Sequence, residues 1–129
     1  MTHIERHVIT VDMSAASGAT VDSSAALNGL LYAVGFAPST GSPWSTNADF
    51  AVAVINGPDV LHVDLNASLG EQMFWPRRRA NTTSSGFFDP AGNTSGSEAA
   101  MIPLADQRVR VTGTSGGATT SGTVNLYLI

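Results

Sequence analysis

The chain has 129 residues, of which 43% are hydrophobic and only 12% charged, with a formal net charge of −4. That is one domain's worth of chain, apolar enough to build a core and too uncharged for solvated disorder. The acidic balance argues against nucleic acid as the main partner, and the lack of cysteine excludes disulfides, thiolate chemistry and cysteine-based zinc sites.

Taken in chain order, the dominant signal is alternation with period two, which predicts strands. Ile4 to Val11 reads as the first, with Ile9 and Val11 on one face and Val8 on the other. Asp22 before Ser23-Ser24-Ala25-Ala26 is placed to cap a single helical turn. Leu30, Tyr32, Val34 and Phe36 are expected to share a face, as are Phe50, Val52 and Val54. Leu61, Val63 and Leu65 alternate with His62 and Asp64. Between these last two runs, Asn56-Gly57 is a hairpin pair, and Pro58 directly after it calls for a longer turn.

Leu65 to Phe74 could form a short helix interrupted by Gly70. The stretch from about 79 to 100 has little periodicity and reads as a long loop, with Phe87-Phe88 expected to anchor it to the core or to a neighbouring subunit. Val109 and Val111, then Val124, Leu126 and Leu128, alternate with polar residues on either side of the Gly-rich run from Gly113 to Gly122. This predicts a C-terminal hairpin over 107–129 with a mobile tip. Short strands, Gly/Pro-rich joints and little helix make an all-β, antiparallel β-sandwich or jelly-roll-like barrel with long loops, forming one domain over 1–129.

No residue pattern points to catalysis, a cofactor or a metal. His3 and His7 lie about 13 Å apart if the segment is a strand, too far to share an ion. Serines occur without a nucleophile elbow, and the Gly-rich run lacks the Gly-Lys-Ser/Thr ending of a phosphate-binding loop. No apolar run approaches the roughly 18 residues of a membrane span, and Met1 to His7 lacks a basic-then-apolar leader, so no membrane role is expected.

The concentrated charge feature is Arg77-Arg78-Arg79 after Trp75-Pro76, in a chain whose basic residues are all Arg. Guanidinium forks bind carboxylates bidentately, so the cluster reads as a protein interface or, equally, as a solvated face. Trp44, Trp75 and Tyr127 could alternatively serve as stacking platforms for a glycan.

Phe74-Trp75-Pro76-Arg77, then Ile102-Pro103-Leu104-Ala105-Asp106-Gln107-Arg108-Val109, Gly116-Gly117 and Ser121-Gly122-Thr123 resemble a pattern in small virion proteins of tailed bacteriophages. The resemblance is best over 74–129. Gln107 departs from it where the pattern has an acid, which removes a possible acid–Arg pair, and Ser121 stands where it often has Thr. The resemblance implies a non-enzymatic structural protein on the outer surface of the phage capsid, assembled in the host cytoplasm. Its expected role is decoration or cement on the head shell, with the major capsid protein and copies of itself (a homotrimer) as partners. The alternatives are a head–tail connector or tail component, and, from another class, a carbohydrate-binding module displayed on the virion. The residues expected at the interface are Trp75, Arg77, Arg78, Arg79, Phe87 and Phe88. An N-terminal arm of Thr2, His3, Ile4, Glu5 and Arg6 is expected to donate a strand to a neighbour.

Overall fold

A computed structural model describes residues 3–13, 18–66, 70–79 and 99–129, with the side chains of 78, 79 and 99 outside the description. The strands are β1 (Glu5–Met13), β2 (Ala19–Asp22), β3 (Leu27–Pro38), β4 (Ala48–Val54), β5 (Asp59–Leu65), β6 (Gln72–Phe74), β7 (Arg78–Arg79), β8 (Ala99–Ala100), β9 (Ile102–Gln107), β10 (Val109–Thr114) and β11 (Thr120–Leu128). Nine of them form two antiparallel sheets without closing into a barrel, and β7 and β8 pair separately. The first runs β1-β11-β3, with β6 and β9 end to end along the far side of β3. The second runs β2-β10-β4-β5. The sandwich expected from strand count and spacing is the fold.

Alternation places the core between the sheets. Ile9, Val11 and Met13 of β1, Val124, Leu126 and Leu128 of β11, and Val34 and Phe36 of β3 meet Phe50, Val52 and Val54 of β4 and Val109 and Val111 of β10. Phe36 lies against Phe50 at a centroid distance of 5.1 Å, and Trp44 against Phe50 at 4.6 Å. Trp44, only 2% exposed, sends its indole N–H to the carbonyl of Val11 at 3.3 Å. An apolar ring with one satisfied polar handle is well suited to such a place.

Four expectations are corrected. β10 and β11 are strands in the expected phase but do not form a hairpin: β10 pairs with β2 and β4, and β11 with β1 and β3, in opposite sheets. The Gly-rich run between them is therefore a crossover from one sheet to the other. Parts of it are tucked in, while Ser115, Ala118 and Thr119 stay exposed. Gly113, Gly116 and Gly122 are buried, and the Gly116 carbonyl accepts from the Ser45 N–H at 2.8 Å and from the Thr120 hydroxyl at 2.9 Å.

In β3, the expected shared face is split. The register shifts where Tyr127 faces Ala33 and Leu128 faces Leu31, so an extra residue, Tyr32, sits at a β-bulge. Leu31 then points inward with Val34 and Phe36, while Leu30 turns out. A bulge shifts the alternation by one residue, which period counting does not detect.

The two short helices are not found; the described residues contain none. Ser23 is buried instead, with its N–H donating to the Val109 carbonyl at 2.8 Å and its hydroxyl accepting from the Val109 N–H at 3.1 Å. The hydroxyl thus extends the β2–β10 ladder and donates its own proton to the Ala25 carbonyl at 2.8 Å, closing a bend where the helical turn was expected. Gln72–Phe74 forms β6 against β3, and Phe74 meets Phe36 edge-on at 5.7 Å. The hairpin between β4 and β5 has the longer turn that Pro58 called for, with Asn56 at φ 60° and the Val54 N–H bonded to the Pro58 carbonyl at 3.0 Å.

Candidate interaction surface

The outward face of the β1-β11-β3 sheet collects the exposed apolar side chains. Ile4 (49% exposed), Val8 (51%), Leu30 (43%) and Trp75 (56%) are the large hydrophobic residues left in solvent among the described ones. All four fall on this face by strand phase. Ile4 and Val8 are out of phase with buried Ile9 and Val11, and Leu30 stands opposite exposed Pro103. Trp75, one residue past β6, is in phase with Met73.

Register puts these residues in neighbouring rows. One row runs Val8, Asn125, Gly35, Met73 across β1, β11, β3 and β6. The next runs Arg6, Tyr127, Ala33. Gly35 is a saddle in this surface: a Cβ there would lie 3.4 Å from both the Met73 sulfur and the Tyr127 ring, so these two side chains close over it in ordinary contact. Asn125 is buried in the middle of the patch and has no side-chain hydrogen bond among the described residues. A buried amide without a partner is costly and is satisfied by whatever covers it.

Arg77 stands at the border of this face and is held by its own chain. Its Nη1 donates to the carbonyls of Tyr32 at 2.9 Å and Pro76 at 2.8 Å, and its guanidinium lies 5.7 Å from the Tyr32 ring centroid. The Tyr32 carbonyl, between the stretches of β3 that pair with β9 and with β6, thereby gains a charged donor. Arg77 is thus a brace for the bulge and the Trp75 turn rather than a free fork. Arg78 and Arg79 pair by backbone with Ala100 and Ala99.

The remaining predicted residues divide. Phe87, Phe88 and Thr2 lie outside the described residues. His3 and Ile4 are exposed ahead of β1. Glu5 and Arg6 are not part of a free arm: they already pair within the chain, with Leu128 and Tyr127. Trp44 is no stacking platform, being buried against Phe50, which leaves Trp75 and the half-buried Tyr127 for any such role. His7 lies 3.3 Å from Glu5, and no group of three metal-ligating side chains occurs among the described residues. Sequence reasoning missed Val8, Leu30 and Met73 as surface residues. For Val8 the signal was there, in its phase opposite Ile9 and Val11.

The opposite face of the sandwich is polar. Its ordered feature is a bidentate pair between Arg110 and Asp22, at 2.8 and 3.1 Å across β10 and β2. Hydrogen bonding to Arg110 holds the Asp22 carboxyl below the usual carboxylate range, and the same contact raises the guanidinium.

Comparison with protein-family models and with curated protein sequences finds no match. A solved structure described as "Crystal Structure of FLHE" is similar at 10% identity, with a TM-score of 0.47 over 98% of each chain. It identifies no family.

Proposed function

We propose that this chain is a non-enzymatic structural protein that works by adhesion through the outward face of the β1-β11-β3 sheet, as a decoration protein on the head shell of a tailed phage. The observation that carries the adhesive part is the gathering of Ile4, Val8, Leu30 and Trp75 on one sheet face, around a buried amide with no side-chain hydrogen bond among the described residues. The virion assignment rests on the resemblance of residues 74–129 to small phage virion proteins.

Magnitudes favour a multi-copy setting. Burying the exposed half of each of four large apolar side chains is worth about 1 kcal/mol apiece. The sum, about 4 kcal/mol, matches at best a millimolar contact and is comparable to the lower end of what association costs. One patch alone would hold weakly. Many copies on a lattice, each touching more than one neighbour, turn such contacts into durable attachment through effective concentration.

The test is quantitative mass spectrometry of purified particles made by the genome that encodes this chain. Decoration predicts copies on the scale of the major shell protein, and Trp75→Asp with Val8→Asp should leave the fold intact yet abolish attachment. A single ring's worth of copies would replace decoration with a connector role. Particles devoid of the chain would end the virion reading altogether.

A further inference from the structure

We infer that β1 is the interface to a second copy of this chain, joining two protomers across a two-fold axis at Ile9 into one continuous sheet. The inference is independent of the virion reading. It starts from the edges of the sandwich, because an edge strand presents a row of unsatisfied backbone groups.

Monomeric sandwiches blunt such edges with short strands, prolines, lysines or bulges. The second sheet does so: β2 has four residues, and the β4–β5 ladder carries a register shift, with Asp64 facing Asp49. β1 lacks these devices and carries only charged side chains, Glu5, Arg6 and Asp12, to blunt it. It is nine residues long, contains neither Pro nor Lys, and keeps unbroken register with β11 from Glu5 to Met13. Among the described residues no strand pairs with its other edge; β2 comes near without bonding to it.

The side chains of β1 select the partner. Antiparallel pairing of β1 with its own copy about Ile9 overlaps all nine residues and sets Arg6 opposite Asp12 of the second copy, twice by symmetry. Val8 then faces Thr10, and Ile9 faces Ile9. Arg6, Val8, Thr10 and Asp12 share the outward face, where directly opposed side chains stand about 5 Å apart. Neither Arg6 nor Asp12 has an ion-pair partner in its own protomer among the described residues. Sliding the register by two residues in either direction shortens the overlap and separates both charge pairs. The same two charges that discourage pairing with an arbitrary strand therefore match this one. The pairing also brings two outward faces edge to edge, so that the apolar patches of the two protomers lie on one surface.

The experiment is light scattering coupled to size exclusion, with sedimentation equilibrium for the constants, on the full chain and three variants. The wild type should be a dimer. Arg6→Asp and Asp12→Arg each place like charges opposite one another at both symmetry-related positions, and each should weaken dimerisation roughly tenfold or more. The double variant, Arg6→Asp with Asp12→Arg, restores opposite signs and should return the dissociation constant to within about threefold of wild type. Circular dichroism checks that all four proteins keep the sheet signal. A wild type that is monomeric or trimeric overturns the inference, and so does a double variant no tighter than the weaker single one.

Discussion

Gly122→Ala is the sharpest test of how the two sheets are held together. Gly122 lies on the inward face of β11, and a methyl there would sit 2.6 Å from two carbons of the Trp44 benzo ring and 2.8 Å from the Ala37 carbonyl oxygen. Both distances fall well inside contact, and neither neighbour is a flexible tip. Trp44 is fixed by its bond to the Val11 carbonyl and by Phe50, while the Ala37 oxygen belongs to the β3 backbone. Overpacking of this kind costs about 1–3 kcal/mol. In a domain of this size that lowers Tm by roughly 4 °C per kcal/mol, or about 4–12 °C. Thermal unfolding followed by circular dichroism reads the shift. Trp44→Phe removes the two carbons in question, so the double variant should fall short of additivity by about 0.5–3 kcal/mol. A Gly122→Ala protein melting within a degree of wild type, or strictly additive losses, would refute the claim that the ring fills the space over the glycine.

Deleting Ser115 to Thr119 should abolish folding, since about 10 Å separates packed sheets and this segment makes the crossing; a soluble, cooperatively melting deletion variant would disprove the crossover. Arg77→Ala should cost about 1–2 kcal/mol by leaving the Tyr32 carbonyl without its charged donor, and Arg77→Lys should recover only part of it; chemical denaturation measures both. Asp22→Asn should lower stability slightly at neutral pH. Because the folded Asp22 titrates below the unfolded value of about 3.9, its contribution is complete above that value and fades as pH falls through the folded one. The Tm gap to wild type should therefore narrow as pH is lowered past about 3.9, and a gap that stays constant would remove the pair from the account.

Strand phase was legible wherever one face meets the core and nothing interrupts the alternation, as in Ile9/Val11, Phe50/Val52/Val54 and Val124/Leu126/Leu128. Pairing was not. A Gly-rich run between two alternating segments is equally compatible with a hairpin tip and with a sheet-to-sheet crossover, and the choice depends on β2, β4, β1 and β3 competing for the same edges. The bulge at Tyr32 was invisible for a related reason: it is defined by the partner strand, not by the residues of β3. Trp44 could not be placed from its own neighbourhood, because its pocket is made by Gly122 and Val11, both distant in sequence. The Arg cluster was visible as composition. Its first member serves the fold, and the carbonyl it answers, that of Tyr32, lies 45 residues away in β3.

The interior position of β11 has a consequence for biosynthesis. β1 and β3 flank a strand that the ribosome supplies long after both of them, so neither can complete its ladder while the intervening residues are made. Until β11 arrives, the inward residues of the first sheet stay open to chaperones or to a second nascent chain, and structure in that half of the molecule must wait for the end of the segment.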